Sequence, residues 1–329
     1  PLVTEYAPSS DYSKYPGRSS LKETFDFIVK DLEQASNLVG IQGEAQSAYI
    51  TLDVVEALKA RVYLEMEDYQ NAAAAAQGLI NSKRYTLISD GDAYKKMWLN
   101  DVGTEAIWQF AMSKTETGSN ALGSSFMGIV DKLPRPSYLP VKSVLNLYDK
   151  ENDIRYDAYF TTGLIDRQVG DDIEVTYCSK WPGNPELYEG KSNNVNKLKA
   201  FRISEMYLIA AEAYAMLNQE DKASEMLNEL KKIRIKGWTE TVYNGAALMQ
   251  EIQDERVREL FAEGNRLFDM KRWKIGMKRS SSDAQRDDYL PALGTDIEKE
   301  ATDNRWVWPI PKDEMDSNPQ LKGQQNPGY

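Results

Sequence analysis

The 329-residue chain has no histidine and a single cysteine, Cys178. Without imidazole there is no Ser-His-Asp or Cys-His catalysis, no helix-borne histidine zinc site and no imidazole pH switch. Carboxylates, lysines and tyrosines are the acid–base groups that remain. A lone cysteine makes no intrachain disulfide and no CxxC motif, and it leaves the compartment undecided. Set in an alternating stretch, it reads as a small buried hydrophobe. Long apolar runs are missing as well, and none approaches the roughly 20 residues of a membrane helix. Positive charge is in short supply. Forty Lys and Arg stand against 51 Asp and Glu, a net charge of −11. That balance argues against nucleic-acid phosphates or an anionic membrane face as partner, because both are held through basic residues. The chain starts at Pro1 with no basic-then-apolar leader. A signal segment is therefore expected to be removed or to lie upstream.

Apolar residues make up 41% of the chain and aromatics 10%, enough for a core that buries roughly 75% of the extended surface, in one large domain or two smaller ones. Residues 1–18 read as an extended lead-in. Ser19 or Ser20 offers an N-cap with Glu23 as its capping-box partner, and Phe25, Ile28, Leu32, Ala35 and Leu38 follow at helical spacing, which predicts a helix over 21–38. Residues 53–80 read as two helices around a turn at Glu67 and Asp68, with Ala60, Tyr63 and Ala72 as contact residues. Ala211, Tyr214 and Ala223 repeat those offsets around a turn at 218–221. The skeleton matches a tetratricopeptide hairpin, in which small residues let antiparallel helices approach while Tyr fills the groove. A generic αα-hairpin remains the alternative, since Ala is also the best helix former.

Between the copies, 105–112 alternates like a short half-buried strand, with Trp108, Phe110 and Met112 on one side. Regularity then stops over 113–140 and again over 177–196, stretches longer than connectors need. One helix is predicted from Ala246 to about Met277, with Leu248, Ile252, Leu260, Leu267 and Phe268 toward a core. Its acids come early and its bases late, matching the helix dipole. The tail from Trp306 shows no helical period.

Glu255, Glu259 and Glu263, at i, i+4 spacing, offer an acid and a base in principle. Arg256, Arg258 and Arg266 lie among them, so a helix-face ion-pair network is the better reading. The acidic run 149–153 lacks the glycine and glutamate of a calcium loop and reads as a solvated loop; Asp171 and Asp172 read as turn residues. Aromatics in the irregular stretches are more pointed. Phe126, Tyr138, Trp181 and Tyr188 can stack flat rings on the C–H face of a sugar, while Asn120 and Arg135 hydrogen-bond its hydroxyls. The alternative is that these rings pin long loops to the body.

The tail "PIPKDEMDSNPQLKGQQNPGY" (309–329) resembles the C-terminal signature of SusD/RagB-like nutrient-binding lipoproteins. "ERVRELFAEGNRLFDMKRW" (255–273) and "RISEMYLIAAEAYA" (202–215) are similar to further motifs of that family, in the same order. The opening "PLVTEY", "GRSSLKETFDFIVKDLEQA" and "YDKENDIRYDAYF" also resemble family positions. The resemblance covers essentially the whole chain. It implies a mainly α fold of tetratricopeptide-like hairpins, an α-α superhelix with a loop-rich ligand-binding region. In outline, 19–88 and 201–279 are helical hairpin regions, 105–200 is the loop and short-strand ligand region, and 300–329 is the family tail, within one SusD-like domain over 1–329. It further implies a cofactor-free, non-catalytic protein on the outer membrane of Bacteroidetes that takes up oligosaccharides, or peptides in the RagB branch. The ligand passes to a SusC-like TonB-dependent transporter. Relatives carry a lipidated cysteine and a long helical region ahead of the "PLVTEY" position. Both are therefore expected outside these 329 residues, and mid-chain Cys178 is not the anchor.

Overall fold

The computed structural model describes residues 2–6, 11, 14–116, 122–130, 132–167, 170–286 and 298–329, so Asn120 lies outside the described residues. In chain order the helices are α1 (Leu21–Leu38), α2 (Leu52–Glu65), α3 (Tyr69–Ser82), α4 (Gly91–Leu99), the short α5 (Ser124–Met127), α6 (Lys142–Leu145) and α7 (Ile154–Tyr159). They continue as α8 (Ile203–Met216), α9 (Glu220–Arg234), α10 (Gly245–Glu259), α11 (Arg266–Arg272) and α12 (Lys312–Ser317). The strands are β1 (Ala106–Gln109), β2 (Ile129–Val130), β3 (Leu133–Pro134), β4 (Phe160–Ile165), β5 (Ile173–Cys178), β6 (Lys199–Arg202), β7 (Met277–Lys278) and β8 (Glu298–Lys299). Among the described residues they form only two-stranded antiparallel ladders: β1–β6, β2–β3, β4–β5 and β7–β8. The fold is mainly helical, as the sequence predicts.

Two compact units divide the chain. One comprises Pro1–Asn37, Leu267–Arg279 and Pro291–Tyr329, the other Leu38–Arg266 and Ser280–Leu290.

In the first unit α1 starts where its capping box puts it. The Ser20 N–H donates to the Glu23 carboxylate at 2.8 Å and the Glu23 N–H donates to Ser20 Oγ at 3.1 Å, so two orphan helix donors are satisfied reciprocally. The tail is held by its own signature residues. Gln325 Oε1 accepts from the Ile310 N–H at 2.8 Å and its Nε2 donates to the Ile310 carbonyl at 2.9 Å, while Asn326 Nδ2 donates to the Trp308 carbonyl at 2.6 Å. The side chains act as a strand rung for a segment that has no strand partner among the described residues. Contrary to the sequence reading, the tail also contains a helical turn, α12, and a 3₁₀ turn at Pro319–Leu321.

The second unit is built on two hairpins that repeat each other. Glu67 and Asn218 both sit in the left-handed region, at φ 59° and 58°. In each turn the following residue, Asp68 or Gln219, donates its N–H to the carbonyl of Tyr63 or Tyr214 at 2.9 Å. Ala60, Ala72, Ala211 and Ala223 are all 0% exposed. Their methyl groups let α3 pack on both α2 and α8, and α8 on both α9 and α10. Tyr63 and Tyr214 lie half-buried against the same core. A second, aromatic core of Tyr94, Trp98, Tyr148, Tyr159, Phe160 and Trp181 joins α4 and α7 to the middle segments.

Two sequence expectations need correction. The helix predicted to run to Met277 is two helices, because Ala262 at φ 57° and Gly264 at φ 85° adopt left-handed backbone between α10 and α11. Leu248, Ile252 and Leu260 are buried as expected, but Leu267 and Phe268, beyond the break, are 41% and 54% exposed. The short half-buried strand expected in 105–112 is present as β1, with Ile107 and Gln109 turned inward and Trp108 half-buried and stacked on Phe201. Asp153 is not a solvated loop residue: it is 4% exposed and caps α7 by accepting from the Arg155 N–H at 3.0 Å.

Leu227, on α9, is fully buried in the hairpin core. Leu227→Ala is expected to lower unfolding free energy by about 2–5 kcal/mol in urea titration; a loss under about 1 kcal/mol is inconsistent with this packing.

Candidate functional site

The carboxylates that could have served catalysis are enclosed. Glu255 and Glu259 are 0% exposed. Glu259 Oε1 accepts from Arg202 Nη1 at 2.8 Å and Arg234 Nη2 at 2.9 Å, and its Oε2 accepts from Arg234 Nε at 3.0 Å and Arg155 Nη1 at 3.1 Å. Arg155 Nη1 also donates to Glu255 Oε1 at 2.6 Å, and Arg258 Nε donates to Glu255 Oε2 at 2.6 Å. Burial alone would raise both carboxyl groups, but the guanidinium charges outweigh it. Arg155 and Arg258 hold Glu255 down to about 2, and Arg234 and Arg202 hold Glu259 well below the usual range. A group that stays ionised at neutral pH and meets no solvent cannot donate a proton to a substrate. The ion-pair reading holds in kind and, for Arg258 on Glu255, in place; the remaining partners of these glutamates come from β6, α7 and α9. Glu263 lies beyond the helix, where it accepts from Lys180 Nζ at 2.7 Å and Arg202 Nη2 at 2.7 Å. Burial lowers Lys180 to about 8 against the pull of Glu263. Cys178 is 0% exposed and burial pushes its thiol up to about 11, in line with an inert core residue.

Of the sequence-predicted site residues, the structure brings the rings of Phe126 and Tyr138 together and places Arg135 three residues before Tyr138 on the same loop. The loop 133–141 is fixed at its backbone. Arg135 N–H donates to Gly128 O at 2.8 Å, Ser137 N–H to Ser125 O at 2.9 Å, and Asp166 N–H to Pro134 O at 2.9 Å. Tyr138 projects from it, 66% exposed, with its ring centroid 6.3 Å from that of half-buried Phe126. Beneath the loop a small core of Ile165, Val175 and Tyr177 supports Leu139 and Met127. The loop, the far end of the β4–β5 hairpin and the segment 284–285 wall a groove of about 460 Å³. Its polar lining includes Arg135, Ser137, Asp166 and Gln285, whereas Tyr138, next to it in the loop, and Phe126 beside that ring stand outside the lining. Arg135 Nε donates to Asp166 Oδ2 at 3.1 Å and Nη2 bonds the same oxygen, so guanidinium and carboxylate stand side by side at the wall.

Trp181 and Tyr188 lie elsewhere. Trp181 is 3% exposed, its ring edge-on to Trp98 at 5.1 Å and its Nε1 donating to the Ala262 carbonyl at 3.2 Å. A ring enclosed this far pins its loop instead of presenting a stacking face. It borders a second, more apolar groove of about 350 Å³, with Phe110, Leu122, Leu198 and Arg61. Gly123 fits that junction because a Cβ there would collide with the Trp181 carbonyl. Tyr188 is half-buried after the 3₁₀ turn Pro185–Leu187 and lines neither groove. Sequence reasoning missed Asp166 and Gln285, which stand out in no motif and reach the groove only through the tertiary fold.

A unit of stacked helical hairpins carrying a loop-walled groove is the class of protein that this architecture defines. Residues 174–329 match the model of the SusD family. Over 99% of its length the chain superposes on a SusD superfamily protein from Bacteroides thetaiotaomicron, at 27% identity and a TM-score of 0.79, covering 70% of that chain. It is 25% identical to SusD-like protein P38 of Formosa agariphila over 98% of this chain and 68% of that protein. A putative sugar binding protein from Bacteroides vulgatus shares the fold, with a TM-score of 0.76 at 24% identity over all of this chain and 70% of that one. The chain is similar to the SusD family, over residues 174–329 by the family model and over nearly its whole length by these relatives.

The buried carboxylates predict an acid profile. Glu255 and Glu259 bind fewer protons folded than unfolded. Stability is therefore fully present above their ordinary value of 4.5 and is lost as pH falls toward about 2. Urea midpoints are expected to be flat from pH 7 to about 5 and to drop steadily below about pH 4.5. Glu259→Gln, which leaves three arginines short of one charge, is expected to cost roughly 3–5 kcal/mol at pH 7. A midpoint independent of pH between 5 and 2.5 would contradict this account.

Proposed function

We propose that the protein is a non-catalytic cell-surface binding protein that captures oligosaccharides at the groove beside Tyr138 and hands them to a SusC-like TonB-dependent transporter. Attachment to the outer membrane by a lipid anchor outside these 329 residues belongs to the same reading. The observation that carries it is Tyr138, an aromatic ring 66% exposed on a loop whose backbone is hydrogen-bonded on both sides of it. A held ring loses little freedom on binding, and its face suits the apolar C–H surface of a pyranose. Arg135 and Asp166 at the groove wall offer donors and acceptors in fixed geometry for sugar hydroxyls. Phe126 backs the platform and packs against the aromatic core. The fold shared with a putative sugar binding protein supports the ligand class, and the similarity to the SusD family supports the transporter and the surface location.

Native-gel retardation tests the reading, with amylopectin, xylan, laminarin and polygalacturonate each cast into the gel. At least one is expected to slow the wild type. Tyr138→Ala is expected to weaken that retention roughly tenfold, the loss of about 1.4 kcal/mol of ring contact. No reducing sugar is expected to be released from any of the four. Retention by none of them, together with binding to a casein peptide digest, would replace the glycan with a peptide. Unchanged retention of Tyr138→Ala would move the site away from this groove.

A further inference from the structure

Gln285 lies far in sequence from both walls of the groove, yet its side chain touches each. Nε2 donates to the Pro140 carbonyl at 2.8 Å and to the Thr176 carbonyl at 2.6 Å, and Oε1 accepts from the Thr176 N–H at 2.9 Å. Thr176 sits opposite Thr162 in the β4–β5 ladder, and the amide satisfies both of its backbone groups. One side chain thus stands where a third strand would pair. The neighbouring residues grip the same wall. The Lys142 N–H donates to the Asp283 carbonyl at 2.8 Å, and Asp283 Oδ1 and Oδ2 accept from the Ser143 N–H and Oγ at 2.7 Å each. With both amide hydrogens of Gln285 already donated to protein carbonyls, the side chain has no donor left for a ligand.

We propose that Gln285 is a positioning residue for the ligand groove: its amide ties the Tyr138-bearing loop at Pro140 to the β5 edge and so sets the width of the groove. The proposal rests on the reading of this groove as the ligand site. If the tie is cut, the loop samples arrangements that do not match the ligand. A groove competent for about one-tenth of the time weakens apparent affinity about tenfold, with Tyr138 and Arg135 untouched.

The test uses the full chain and two readouts. The first is the distance distribution between spin labels at Ser137→Cys and Leu164→Cys, one exposed position on each wall. Buried Cys178, with its thiol raised to about 11, stays unlabelled. The second is retardation by whichever of amylopectin, xylan, laminarin and polygalacturonate slows the wild type most. Gln285→Ala is expected to broaden the distance distribution and to weaken retention about tenfold at both pH 7.5 and pH 5. Gln285→Glu separates positioning from space filling. As a carboxylate it keeps the acceptor for Thr176 but faces two carbonyl oxygens, so it should broaden the distribution at pH 7.5. That environment raises its pKa, and at about pH 5 the protonated acid regains an O–H donor. Narrowing of the distribution and recovery of retention at pH 5, with the wild type unchanged, is the expected result. The proposal is overturned if Gln285→Ala keeps the narrow distribution, if Gln285→Glu shows no recovery at pH 5, or if the walls loosen while retention holds. If no polysaccharide retards the wild type, the glycan reading fails, and the distance readout alone still decides whether Gln285 sets the groove.

Discussion

The carboxylate of Glu259, shared by Arg155, Arg202 and Arg234, is the constraint from which the larger unit is organised. A buried carboxylate loses its hydration and is tolerable only when its lone pairs are filled. Here four N–H groups fill them. Each arginine has the same difficulty and reaches further: Arg202 and Arg234 to Glu105, Arg202 to Glu263, Arg155 to Asp153 and Glu255. Glu255 and Glu251 extend the chain of pairs through Arg258 to Lys231, and Glu263 extends it to Lys180. In all, six basic side chains meet six carboxylates. Deleting one member strands the others in an apolar setting, so the elements that supply them are locked in mutual register. A hydrophobic core of the same volume could equal the stability, but it would not specify which segment meets which.

That locking reaches the groove through the β4–β5 hairpin. Arg155 fixes α7, and β4 begins immediately after α7 at Phe160. Lys180, whose ammonium donates to Glu263 at 2.7 Å and lies 3.9 Å from the Tyr159 ring centre, fixes the chain two residues after β5 ends. Both strands are therefore tied down at one end of the hairpin, and the other end carries Ile165 and Asp166 into the groove wall. The ladder between them is complete from Phe160–Cys178 to Ile165–Ile173. A pair of strands held this way is a stiff arm, and the loop that displays Tyr138 is bonded to it at Asp166.

Legibility in the sequence followed the range of the interaction. The capping box of α1, the Ala-Tyr-Ala offsets of the hairpins and the turns at Glu67 and Asn218 are decided within a dozen residues, and the chain states them openly. The break after α10 was invisible to periodicity, because the pattern of 246–277 is helical throughout. Glu263 meets Lys180 and Arg202 only because the chain leaves the helix, and Ala262 has to accept a left-handed conformation that its side chain disfavours. Trp181 misled for a related reason. Proline and glycine around it signal a loop, but nothing local signals that Trp98 and Ala262 come to enclose the ring. Phe126, Tyr138 and Arg135 stand out as candidates because all three lie in the one irregular stretch 113–140. Asp166 and Gln285 enter from other segments and left no trace.

The motif that identifies the family and the residues proposed to bind ligand do different physical work. Gln325 pairs with the backbone of Ile310, Asn326 with Trp308, and Asn318 Nδ2 donates to the Pro16 carbonyl at 3.0 Å. The tail signature thus closes upon its own unit. Asn and Gln appear there because their amides carry both a donor and an acceptor and can imitate a peptide group where no strand is available. Such residues cannot be exchanged without leaving backbone groups unpaired, so they mark the scaffold. Among the described residues the Tyr138 side chain makes no such bond. Its ring is held by a loop whose backbone, not its side chain, makes the attachments, which leaves the exposed position open to whatever residue a ligand requires.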